Sequence, residues 1–157
     1  MFKILLLLLV ANGAPVLAKQ LLGTRWSMPL DAGKTFFDSR PILGTSKTLR
    51  GLLIGIIATA IIAPFLGFTW QTGVLLGALS LLGDAFSSFI KRRINIPPSG
   101  KALGLDQIPE AILPLWLLRE NLVINEWSVI VIAGLFTISE LLLSKLLFSL
   151  GIRDKPY

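Results

Sequence analysis

From Gly51 to Thr69 the chain carries no charged side chain. A run of that length matches what the hydrocarbon core of a bilayer, about 30 Å thick, demands of a helix that crosses it. Comparable apolar blocks occupy residues 1–22, 73–91 and 127–150, with a shorter, proline-interrupted one at 105–120. Hydrophobic residues make up 54% of the 157 positions. That excess over a soluble domain is gathered into blocks, as in a polytopic membrane protein. The expectation is an all-α integral membrane protein with five transmembrane helices, over about 1–22, 51–69, 73–91, 105–120 and 127–150. Two polar loops, 23–50 and 92–104, join them into a single membrane-embedded domain over 1–157.

The first block has a rival reading as a signal peptide: Lys3, an apolar run, then Val16-Leu17-Ala18. Asn12-Gly13-Ala14-Pro15 lies in its middle, where a helix kinks and neighbouring helices can satisfy the freed backbone. A retained first helix is the favoured reading. Five spans put the termini on opposite sides. One side then carries Lys19, Arg25, Lys34, Arg40, Lys47, Arg50, Lys91, Arg92, Arg93, Lys101, Arg153 and Lys155, and the other Lys3 and Arg119. The positive-inside bias places the N-terminus outside and both polar loops in the cytoplasm of a cell membrane. In a lipid-embedded chain a net charge of +6 points to anionic substrates or lipids rather than nucleic acid. The chain has no cysteine and no histidine, so thiolate metal sites and the commonest general base are excluded.

Chemistry-bearing residues crowd the polar loops and their borders. Asp84, Ser87, Ser88 and Lys91 recur at helical spacing and share one face. Asp84 lies about 10 Å inward of Lys91 at 1.5 Å per residue. An unpaired carboxylate there costs roughly 2.5–3.5 kcal/mol on insertion scales. A divalent cation would offset that cost; so would an ion pair with Lys47 or Arg50, the plainer alternative. Asp106 and Glu110 share a face of the fourth segment, Asp106 also suiting a helix N-cap. If Asp106 shares a cation with Asp84, hard oxygen ligands indicate Mg²⁺, with Mn²⁺ as its substitute. Lys91-Arg92-Arg93 reads either as a positive-inside flank or, beside Asp84 and Ser88, as a phosphate clamp. Gly44-Thr45-Ser46-Lys47-Thr48-Leu49-Arg50-Gly51 enters the second helix with hydroxyls, free N–H groups and two cations, which suits an anion or an ordinary cap. Asp31-Ala32-Gly33-Lys34-Thr35 imitates the end of a P-loop, but Met28 stands where its leading glycine belongs and no strand precedes it. Loop 23–50 is too long to be an idle connection. Glu140, in the last helix, has no assigned role.

Taken in order, these blocks resemble the CDP-archaeol synthase family, relatives of the CDP-diacylglycerol synthases. The resemblance is carried by Asn12-Gly13-Ala14-Pro15, Asp31-Ala32-Gly33-Lys34 with Asp38, Leu43-Gly44-Thr45-Ser46-Lys47-Thr48 through Arg50-Gly51, Gly83-Asp84 through Ser88-Phe89-Ile90-Lys91-Arg92-Arg93, and Leu105-Asp106-Gln107. It implies five transmembrane helices and Mg²⁺-dependent transfer of CMP from CTP to 2,3-di-O-geranylgeranylglyceryl phosphate or a similar lipid phosphate, releasing pyrophosphate. It also implies a nucleotide site in the two cytoplasmic loops. The expected site has Asp84, Lys91 and Asp106 as catalytic residues, Asp84 and Asp106 as metal ligands, and Ser46, Lys47, Thr48, Arg50, Ser88, Arg92 and Arg93 around the phosphates. Asp31, Asp38 and Glu110 are further candidates. Phosphatidic acid is an alternative substrate, and an anion transporter or a lipid-binding scaffold an alternative function. A homodimer is a possible state, with no interface legible.

Overall fold

The computed structural model describes residues 1–100 and 102–151. Lys101, Arg153 and Lys155, which enter the charge asymmetry above, lie outside them. Five helices follow one another: α1 Phe2–Leu22, α2 Leu49–Phe65, α3 Trp70–Arg93, α4 Gln107–Leu117 and α5 Glu126–Ser149. The helices α1, α3 and α5 are long and apolar enough to cross a bilayer, and α2 is a shorter apolar helix. The chain is an all-helical, multi-pass membrane protein.

Local chemistry sets the helix limits. The Thr48 hydroxyl accepts the Gly51 N–H at 3.1 Å, so α2 starts at Leu49, two residues before the apolar run. It ends at Pro64-Phe65 because Gly67 takes a positive φ of 84°. Thr69 then caps α3 by accepting the Thr72 N–H at 3.2 Å. The segment Trp70-Gln71-Thr72, between the runs 51–69 and 73–91 expected as helices, is therefore the first turn of α3. The 11 residues of α4 span about 16 Å at 1.5 Å per residue. They fall short of the 105–120 expected from sequence, and turns at 103–106 and 118–123 flank them.

The helices close into a ring. α1 packs on α2, α3 and α5, α2 on α3, α3 on α4, and α4 on α5. Leu7 and Leu8 of α1, Leu76 of α3, Leu115 of α4, and Ile132 and Phe136 of α5 are fully buried in the middle. With its side chains in the core, α1 is an integral part of the bundle. The outside of the bundle is as greasy as its inside: Leu53, Ile57, Ile61 and Phe65 form an exposed i, i+4 row on α2, and Leu75, Leu82 and Phe86 a row on α3. Small residues face inward instead. A Cβ added to Gly73 would lie 2.6 Å from the Thr59 carbonyl oxygen, so α2 and α3 meet backbone to backbone. Asn12 bridges α1 and α3, donating to the Ser80 hydroxyl at 2.9 Å and to the Leu8 carbonyl at 3.0 Å.

The first polar loop is an ordered hairpin-like excursion. Leu30 donates to the Lys47 carbonyl at 2.8 Å and Leu49 to the Met28 carbonyl at 3.0 Å. Nearer the tip, Phe36 donates to the Arg40 carbonyl at 2.8 Å and Ile42 to the Lys34 carbonyl at 3.1 Å. Isolated bridges pair Pro29 with Thr48 and Thr35 with Pro41.

Candidate functional site

The site begins with a glycine. A Cβ on Gly83 would collide with the Pro109 carbonyl oxygen and lie 2.8 Å from the Glu110 nitrogen. Only a residue without a side chain lets α3 and α4 approach so closely. The contact sets Asp84 beside Glu110, close enough for the two carboxyl groups to interact directly. Two such groups that close together need a proton or a cation between them. Lys47, delivered by the end of the hairpin just before α2, forms an ion pair with Asp84. Two turns further out on the same face of α3, Lys91 pairs with Asp106 and reaches the Gly100 carbonyl at 3.4 Å.

The expected convergence of Asp84 and Asp106 therefore takes a different form here. Each carboxylate is answered by its own lysine, and the Lys47–Asp84 pair is the plainer alternative that the sequence allowed. Lys47 still feels Asp84, Glu110 and Asp106 together: burial opposes its charge, but these carboxylates outweigh burial and hold its pKa above the ordinary lysine value. Among the described residues no group of three or more acidic side chains is arranged to hold a metal ion unaided. Asp106 stands at the N-cap position of α4 without capping it. Its carboxylate turns back to accept the Ala102 N–H at 3.0 Å, and Gln107 accepts from Gly104 at 3.0 Å.

Arg92 is the outlier. Its side chain is 4% exposed, yet its Nε and Nη1 have no hydrogen-bond acceptor. It lies where the two loops meet: a Cβ on Gly44, whose φ is 89°, would be 3.1 Å from the Pro98 ring and 3.7 Å from Arg92 Nη1. Leaving a buried charged donor unanswered costs more than about 1–3 kcal/mol. A planar guanidinium in that state is a ready-made phosphate fork.

The other basic candidates are engaged with the protein itself. Arg93 donates to Asp38 at 2.6 Å and to the Arg40 carbonyl at 3.4 Å, with a further bond to the Pro41 carbonyl. Its guanidinium also lies 5.1 Å from the Phe36 ring centre and 4.8 Å from that of Phe89. It clasps the hairpin to the end of α3. Arg50 donates from Nη1 to the carbonyls of Gly23, at 3.0 Å, and Arg25, fastening the end of α1. Thr48 serves as the α2 cap, Ser46 is exposed, and Ser88 is buried one turn inward of Arg92.

Asp31 organises the hairpin. It accepts from Gly33 at 3.0 Å, Leu43 at 2.9 Å and Gly44 at 2.8 Å. Burial alone would raise its pKa, but these backbone donors prevail and hold it below 3.8. Asp38, paired with Arg93, also lies 3.9 Å from Arg40. Glu140 reaches the network through its charge interaction with Glu110. It lines a cavity of about 50 Å³ between α1 and α5 together with Asn12 and Ser144.

Cations and carboxylates thus crowd one end of a membrane-embedded helical ring, with a buried guanidinium that lacks an acceptor among them. This is the class of a multi-pass membrane protein that handles anions at the bilayer surface. The CDP-archaeol synthase (CarS-like) family matches residues 1–157. The chain is 35% identical to the CDP-archaeol synthase of Thermofilum pendens, covering 94% of this chain and 76% of that one. Its identity with the CDP-archaeol synthase of Sulfurisphaera tokodaii is 36%, over 95% of this chain and 90% of the relative. It belongs to the CDP-archaeol synthase family. The same fold occurs in a solved structure described as an intramembrane enzyme for archaeal membrane lipids biosynthesis, with a TM-score of 0.75 at 24% identity, covering 88% of this chain and 89% of the other.

Proposed function

We propose that the chain transfers CMP from CTP to an archaeal lipid phosphate, 2,3-di-O-geranylgeranylglyceryl phosphate or a close relative, at the loop end of the ring. The observation that carries this reading is Arg92: a sealed guanidinium with unanswered donors, beside the Gly44 turn and one residue from Lys91. An oxygen of the lipid phosphate attacks the α-phosphorus of CTP. The bond to the β-phosphate breaks and pyrophosphate leaves. A phosphate monoester, with a second pKa near 6, is already mostly dianionic at pH 7, so no general base is needed. That suits a chain without histidine. The barrier is the meeting of two anions, and catalysis reduces to placing them and neutralising charge.

Lys47 and Arg92 hold the nucleotide phosphates, with Ser46 at the rim. Lys91 and Ser88 face the second phosphate group, Arg93 and Arg50 brace the loop, and Thr48 sets the start of α2. Asp31 and Asp38 keep the hairpin in shape. The donor chemistry suits Mg²⁺, or Mn²⁺: such ions take only one or two protein carboxylates and complete their shell with phosphate oxygens and water. Asp84 and Asp106 are the ligands we assign, with Glu110 beside Asp84. When bound, the ion supplies charge neutralisation at the CTP oxygens and at the leaving pyrophosphate.

The whole chain acts as one unit that crosses the membrane five times, the fourth crossing completed by the turns around α4. Its loops face the cytoplasm of the cell membrane, where CTP is made. Purified protein given CTP, Mg²⁺ and the ether-lipid phosphate should yield the CDP-lipid by mass spectrometry. Pyrophosphate release without that product, or no turnover with any lipid phosphate, would refute the proposal.

A further inference from the structure

The tip of the first polar loop holds a phenylalanine that the site does not use. Phe37 is 98% exposed, the most exposed large apolar side chain among the described residues. It is held in an ordered place. Its ring lies 5.1 Å, edge-on, from that of Phe36, and Phe36 in turn lies 5.3 Å from Phe89 of α3. At 100° per residue, Phe89 falls on the same face of α3 as Leu75, Leu82 and Phe86. Those three are the exposed, lipid-facing row of that helix. The hairpin tip is therefore folded back onto the outer face of the bundle, one turn from the end of α3. It does not project away from the membrane.

Two further features suit that position. Three backbone bonds close the tip: Phe36 N–H to Arg40 carbonyl at 2.8 Å, Ser39 N–H to Phe36 carbonyl at 2.9 Å, and Ile42 N–H to Lys34 carbonyl at 3.1 Å. The groups so paired lose little on leaving bulk water. Its flanks are basic, with Lys34 exposed and Arg40 half-buried, matching the charge of an anionic headgroup layer. Aromatic rings next to basic side chains are the usual occupants of the headgroup boundary.

We infer that the Thr35–Pro41 tip is a membrane-interface anchor, with Phe37 inserted among lipids at the level of the last turn of α3 and the Arg93 clasp holding it there. The partner is the bilayer surface, and the inference stands whichever side the loop faces and whatever the site catalyses. It also gives the hairpin that carries Asp31 and Lys47 a second fixed point besides the protein.

The chain lacks cysteine, so a single Phe37→Cys substitution carries one nitroxide label at a position that packs against little. In vesicles of phosphatidylcholine and phosphatidylglycerol, power-saturation spectroscopy would compare collisions with oxygen, which concentrates in lipid, and with a water-soluble nickel chelate. A label at Phe86→Cys provides the lipid-facing reference. The expected result is oxygen collisions several-fold above nickel collisions, shallower than at Phe86 but of the same sign. Nickel collisions exceeding oxygen would place the tip in water and overturn the inference. So would shielding from both reagents, which would mean that protein, such as a second copy of this chain, covers the ring.

Discussion

Single side chains show how function and architecture divide among residues that look alike in the sequence. Arg92 and Arg93 are neighbours, yet two nitrogens of one guanidinium are buried without acceptors, while both terminal nitrogens of the other are engaged, by Asp38 and two carbonyls, and its plane lies against two aromatic rings. Nothing in Lys91-Arg92-Arg93 distinguishes them, because the difference depends on where the hairpin lands. Asp31 is similar: its motif suggests phosphate chemistry, but its carboxylate is occupied by three backbone N–H groups. Its folded pKa lies below its ordinary 3.8, so its contribution to stability is complete above 3.8 and lost as pH falls through the lower, folded value. Amide exchange at Leu43 and Gly44 should stay slow from neutral pH down to that region and then accelerate. Asp31→Asn should expose both amides at neutral pH, at a cost of about 1.5–3 kcal/mol for bonds to a charged acceptor. Exchange unchanged by the substitution would remove Asp31 from its organising role.

At the level of elements, the apolar runs were legible because lipid demands them, and four of the five helices lie close to where those runs fall. The misses are local. Thr48 and Thr69 as caps move helix starts outward, since one side-chain acceptor is enough to begin a turn in polar sequence. The fourth segment is shorter because Asp106 and Gln107 bond back into the preceding turn. The meeting of Asp84 with Glu110 could not be read from spacing, because it depends on Gly83 touching Pro109. Gly83→Ala should force α3 and α4 apart. Overpacking of this kind costs typically 1–3 kcal/mol, and here it also separates the two carboxylates. We expect a lower unfolding temperature in detergent and a loss of turnover larger than in Gly134→Ala, where an added Cβ meets nothing within 4 Å. Equal behaviour of the two variants would dismiss the close contact as the device that builds the site.

For the molecule as a whole, an inside-out pattern of burial and a ring of helices put every polar excursion of consequence at one end. That end gathers Lys47, Lys91, Arg92 and Arg93, whereas Arg119 lies at the other, over the Trp116 ring. The positive-inside bias predicts that the basic end faces the cytoplasm. A Thr45→Cys variant should react with a membrane-impermeant maleimide in inverted vesicles and resist it in intact cells; the reverse pattern would invert the topology. The most direct measurement is CDP-lipid formation from CTP and ether-lipid phosphate by Asp84→Asn beside the native chain, with insertion and helix content matched. Loss of a ligand that would hold the ion polarising the phosphates is expected to remove several kcal/mol of transition-state stabilisation. The variant should therefore retain less than about a tenth of native turnover, each 1.36 kcal/mol being tenfold in rate. A variant that folds, inserts and turns over at close to the native rate would contradict the assignment of Asp84 to the reacting centre.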